Sequence, residues 1–177
     1  MNRLMTGMTV VGSALALLPA PAAGAASNTA TTLFPLDGPN QLETRTVLNC
    51  FKSDGHCDFT AGADMLTPDG VTGFPPGLWA RQTTEIRSSN RLAYLDAHAT
   101  GQYERVMKSM GSDEITTVYF GEGPPDKYQT TGRIDSTDWQ TGQPKTDNNV
   151  IVCTHIQVVY PGVNTTSPST CAQTTFS

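Results

Sequence analysis

Cys153 and His155 stand two positions apart in the run "NNVIVCTHIQVVY", residues 148–160. A thiolate and an imidazole at that spacing can ligate a metal ion or form a nucleophile–base dyad. The run is β-branched and alternating, and side chains at i and i+2 of a strand share a face. The pair would therefore project together, opposite the Val150, Val152, Ile156, Val158 and Tyr160 stripe. His56 and Cys57 are the remaining partners from which a zinc site could be completed. The spacings C-x6-C and C-x-H match no zinc motif, and a dyad needs a free thiol.

Redox compartment decides between these chemistries. The chain opens with one charge, Arg3, then an apolar run from Met8 to Leu18, two prolines, and the small residues Ala23-Gly24-Ala25. A basic n-region, an apolar h-region and a small-x-small site define a secretory signal peptide, here residues 1–25. The run is too short to span a bilayer, which takes about 20 residues, and no later segment could span one. Export leaves a chain of about 150 residues, the size of one ordinary domain. Outside the cytosol four cysteines read as disulfides, and four permit three connectivities. Local pairing is favoured, because Cys50 and Cys57 bracket the Asp54-Gly55 hairpin signal and Cys153 and Cys171 bracket Pro161-Gly162. A Cys50–Cys153 bridge of immunoglobulin type ranks second, since Trp79 lies too far beyond Cys50 for the usual buried tryptophan. Cys153 is then structural, His155 is a bystander, and neither a metal nor a cofactor is expected.

Other catalytic patterns are missing. The chain contains no G-x-S-x-G, no H-E-x-x-H and no phosphate loop. A hydrolase would need a His/Asp site assembled in space from His56, His98 or His155, or paired carboxylates from "DSTD" (135–138) with Glu122 or Asp126. That is the alternative function. The leading one is a non-enzymatic binding domain, acting through its loops on a cell-envelope or extracellular ligand or protein. A formal net charge of −5 without a basic cluster excludes the electrostatics of a nucleic-acid binder.

The elements that would carry such loops are short strands punctuated by turns. Residues 26–41 read as a polar lead-in, and residues 42–177 as a single β domain. Strands are expected over 42–51, 78–88, 113–123 and 148–160, and two strands with a turn over 90–110, where a helical stripe competes. The architecture expected is all-β, an antiparallel sandwich or barrel stabilised by disulfides. Trp79, after the rigid "GFPPG" loop, is expected to pack in the core. Trp139 sits in a polar, glycine-flanked loop and is the candidate contact residue, with Asp138 beside it and Tyr128 upstream.

"TPDGVTGFPPGLWARQTTEIRS", "DEITTVYFGEGPPDKYQTTG" and "NVIVCTHIQVVYPGVNTTSPSTCAQTTFS" resemble stretches of a small family of secreted proteins of mycobacteria and related actinobacteria. The resemblance runs through most of the mature chain. It implies a bacterial exported protein and carries no activity, cofactor or site residue with it.

Overall fold

The computed structural model describes residues 25–101, 103–109 and 111–177. Residues 1–24 of the expected signal peptide lie outside them. Among the described residues twelve strands form: β1 (Ala26–Pro35), β2 (Gln41–Phe51), β3 (His56–Thr67), β4 (Gly70–Thr72), β5 (Trp79–Ser88), β6 (Tyr94–Thr100), β7 (Glu104–Ser109), β8 (Ser112–Phe120), β9 (Gln129–Thr137), β10 (Asn149–Tyr160), β11 (Val163–Thr166) and β12 (Thr170–Thr175). A 3-10 turn, Pro125–Tyr128, precedes β9.

The strands make two six-stranded antiparallel sheets. The first runs β1-β2-β3-β9-β6 with β4 on β3, and the second β11-β10-β5-β8-β7 with β12 on β10. The period-two pattern is plain in β2, where Leu42, Thr44, Thr46, Leu48 and Cys50 are buried between more exposed neighbours. β5 and β10 repeat it with Ala80, Gln82, Thr84, Ile86 and with Val152, Thr154, Ile156, Val158. The all-β sandwich is thus the fold, and two disulfides staple it. Cys50–Cys57 and Cys153–Cys171 both join residues directly opposite in register, on β2/β3 and on β10/β12.

The core has two apolar ends and a polar waist. One cluster gathers Leu48, Phe59, Ile86, Ile134 and Val150, the other Leu42, Phe74, Tyr119, Tyr128 and Ile156. Between them lie buried threonines and Gln82 that bond chiefly across the sandwich or between strands. Thr44 and Thr170 share a hydrogen bond of 2.6 Å, Thr46 donates to the Thr170 carbonyl at 3.1 Å, and Gln82 donates to the Ala61 carbonyl at 3.2 Å. Tyr119 bonds Thr130 at 2.7 Å, and Thr130 donates to Thr117 at 2.9 Å. These buried threonine and Tyr119 hydroxyls are tolerated because each finds a partner.

Two sequence expectations change. The polar lead-in over 26–41 contains β1, paired with β2 from Ala26↔Cys50 to Pro35↔Gln41. An edge strand is half solvated, so its sequence lacks apolar contrast, and its closing Pro35, with Pro39 just beyond, reads as loop. The 90–110 segment does form two strands, but β6 joins the first sheet and β7 the second. The buried Asp113 carboxylate accepts the Ala97 N–H at 2.8 Å, occupying a β6 donor that a hairpin partner would otherwise take. Trp79 is not core. It alternates with buried Ala80 and stands half-buried on the outward face of β5.

Gly132 on β9 pairs with Phe59 on β3, and the Phe59 ring covers the place a Cβ would take, with the His98 carbonyl also in the way. Gly132→Ala is expected to cost about 1–3 kcal/mol as an overpacking change. Urea unfolding would measure it, and an unchanged midpoint would mean that both the Phe59 ring and the His98 carbonyl give way at no cost.

Candidate functional site

Two turns meet at the end of the sandwich where β5 and β9 finish. The first, Ser89–Ala93, links β5 to β6. Asn90 Oδ1 accepts the Leu92 N–H at 3.0 Å and the Ser88 hydroxyl at 3.3 Å, while Arg91 takes a left-handed φ of 56°. A non-glycine residue there is costly and needs such local support. The turn leaves Leu92 66% exposed.

The second turn follows β9. Asp138 Oδ1 accepts the Gln140 N–H at 2.9 Å, the Thr141 N–H at 3.0 Å and the Thr141 hydroxyl at 3.2 Å. The Asp138 backbone closes the same loop by donating to Gln143 and accepting from Gly142, both at 2.9 Å. Gly142 sits at φ 68°, where an L side chain would be strained. The loop is then anchored to β9 by Ser136, whose hydroxyl donates to the Lys145 carbonyl at 2.7 Å and whose carbonyl accepts the Lys145 N–H at 2.9 Å.

Trp139 rides on this pinned loop. Its ring meets Tyr94 at 4.8 Å between centroids with a 57° tilt, yet the residue remains 55% exposed. Around it opens a shallow hollow of about 550 Å³ lined by Asn90, Leu92, Gln140, Lys145 and Asp147 as well as the loop itself. Lys145 lies 3.0 Å from Asp147 and 3.6 Å from Asp138. The Thr141 and Gln140 N–H groups hold the Asp138 carboxyl below the usual range, and Asp147 chiefly pushes the Lys145 ammonium up. The site is charged at neutral pH, largely against itself.

The three residues expected at the site separate. Trp139 is exposed as anticipated. Asp138 ties its own turn through Oδ1, and it also lines the hollow, with Oδ2 3.6 Å from Lys145. Tyr128 is core: fully buried, edge-on to Phe74 at 4.9 Å, with its hydroxyl donating to the Gly121 carbonyl at 2.9 Å. Leu92, Tyr94 and Asn90 were missed because their run fits a helical stripe, and the left-handed Arg91 leaves no mark in the sequence.

The alternative chemistries fare differently. All four cysteines are oxidised, so neither Cys153 beside His155 nor Cys57 beside His56 offers a thiolate. His155 stands on β10 opposite Thr83. His56 Nδ1 lies 2.7 Å from Asp54, and its ring stacks on Phe51 at 4.7 Å. Across the strands His56 faces Asp135, and His98 faces Arg133. The carboxylate neighbours of His56 and His98 are Asp54 and, at 3.3 Å, Asp96, and both rings stand on the outer face of the first sheet, away from the buried core. The carboxylates considered as a pair are far apart: β9, nine residues long, separates Asp138 from Asp126, which is about 30 Å at the strand rise.

A separate acidic group lies on the outer face of β2 and β3. Asp64 is opposite Glu43 and borders a small hollow with Arg45 and Gln129. Burial, then the Glu43 charge, pushes its carboxyl up to about 6 against the pull of Arg45. A folded pKa above the unfolded value of 3.8 means that stability is lost as pH rises through about 6. Asp64→Asn removes that loss. It should raise the thermal midpoint over wild type at pH 7 and give no gain at pH 4; equal shifts at both pH values would contradict the assignment.

No family model matches the chain, and no curated protein matches it. Among solved structures, one from work on pH-induced modulation of Streptococcus parasanguinis adhesion by Fap1 fimbriae is 10% identical over 86% of this chain and 95% of that one, with a TM-score of 0.45. Another, the Clostridium perfringens NetB toxin in its membrane inserted form, is 8% identical over 84% and 94% of the two chains, with a TM-score of 0.19. Likenesses this remote assign neither function nor partner. Among the described residues, no helix is long and apolar enough to cross a membrane.

Proposed function

We propose that this chain is an exported, non-enzymatic binding domain that engages a cell-envelope or extracellular partner through the Trp139 end of its sandwich. The carrying observation is a large indole, more than half exposed, on a turn locked by three hydrogen bonds to one carboxylate. A rigid aromatic anchor supplies contact area with little conformational entropy left to lose. The signal-like N-terminus and two disulfides support the extracellular setting. The test is retention of the purified protein on a cell-envelope fraction. Trp139→Ala is expected to weaken retention by about tenfold or more, the scale of an aromatic hot spot, with an unchanged thermal midpoint. Retention equal to wild type would refute the reading. A midpoint that drops steeply would instead make Trp139 a structural residue.

A further inference from the structure

We infer that the hollow beside Trp139 binds a neutral saccharide, an inference that rests on the binding role proposed above. Its lining pairs one aromatic platform with hydrogen-bonding groups and has little else. Leu92 and Trp139 are the apolar lining residues, and the rest are amides and an ion-paired set. Protein-binding hot spots favour a charge-depleted apolar centre ringed by further contacts. Here charge and amide groups stand directly against the indole.

The same residues select against an anion. Lys145 is shared by Asp138 and Asp147, so its charge is already answered. One more acid than base remains at the rim, on a chain of net charge −5, and this repels an anion. A cation over one exposed indole face gains little, and Tyr94, which lies against Trp139 as a support, adds no second wall. What fits is a ring with an apolar C–H face to lie on the indole and hydroxyls at its edge. Gln140 and Asn90 provide amides beside the platform. Asn90 uses Oδ1 within its turn, so its NH2 is the half that suits a sugar oxygen. A volume of about 550 Å³ lies within the range of small-ligand sites.

The experiment uses the mature chain carrying Trp79→Phe, which leaves Trp139 as the sole tryptophan reporter of the two in the sequence. Its fluorescence is titrated with maltohexaose, cellohexaose, mannohexaose and xylohexaose, and with oligogalacturonate as the acidic arm. A saturable change with at least one neutral oligosaccharide and none with the uronate is expected. Gln140→Ala should weaken it about tenfold, and Trp139→Phe should still show calorimetric binding where Trp139→Ala shows none. Binding of the uronate alone overturns the inference. So does silence of every neutral probe at about 10 mM, a concentration that fills a site of about 1 mM Kd. If envelope retention still depends on Trp139 in that case, only the ligand class has failed. If it does not, the binding reading falls as well.

Discussion

Tyr128→Ala is expected to lower the unfolding free energy by about 3–5 kcal/mol, the cost of emptying a large aromatic site in a packed core. Tyr128 is fully buried at the junction of the 3-10 turn with β9. Phe74 meets its ring edge-on, and Tyr119 does so from 5.9 Å. Burial pushes its phenol pKa up, which keeps the hydroxyl a donor to the Gly121 carbonyl. Truncation would leave a cavity under the β4–β5 and β8–β9 connections and leave the Gly121 carbonyl with only its 3.3 Å bond from Lys127. Tyr128→Phe separates the two effects, since it keeps the ring and should cost only about 0.5–1.5 kcal/mol. Urea midpoints at constant m measure both. A Tyr128→Ala loss no larger than that of the Phe variant would return this residue to the surface, where the sequence had suggested it.

Removing the buried disulfide should cost more than removing the exposed one. Chain entropy alone argues the opposite, because Cys153 and Cys171 are 18 residues apart and Cys50 and Cys57 only 7. Those closures are worth about 3 and about 2.5 kcal/mol respectively in the loop model. Cys50 and Cys57, however, are fully buried among Leu48, Ile134 and Val150, whereas Cys171 is exposed at the outer face. Cys50→Ala with Cys57→Ala therefore adds lost sulfur packing to the entropy term, about 1 kcal/mol or more per buried group removed. The expected total is about 4–5 kcal/mol against about 3 kcal/mol for Cys153→Ala with Cys171→Ala. Denaturant titration of the two double variants decides it. A greater loss from the second pair would show that loop length, not burial, controls the contribution.

How much of this was legible follows from the range of the forces involved. Alternation is local, so β2, β5, β8 and β10 could be read directly from their period of two. The two bridges were also local, each spanning a turn that brings its cysteines opposite. β1 was hidden because an edge strand buries too little to leave an apolar pattern. Within the candidate site, Trp139 could be singled out by its polar surroundings, while Leu92 and Tyr94 belonged to a run compatible with either period. The Asp138 neighbour was recognised, but its part in tying the turn depends on backbone groups that composition does not specify.

The sequence alone determined the all-β class, the positions of β2, β5, β8 and β10, the disulfide pairs favoured by their turns and an exposed tryptophan on a loop. Only the tertiary structure decided which sheet takes β6 and which takes β7, that Tyr128 faces inward and Trp79 outward, and that the turn after β5 meets the turn after β9. The physical reason is that a strand's pattern says that its two faces differ, but its partner is chosen by contacts distant in sequence. Asp113 on β8, holding the Ala97 N–H of β6 across the sandwich, is one such contact.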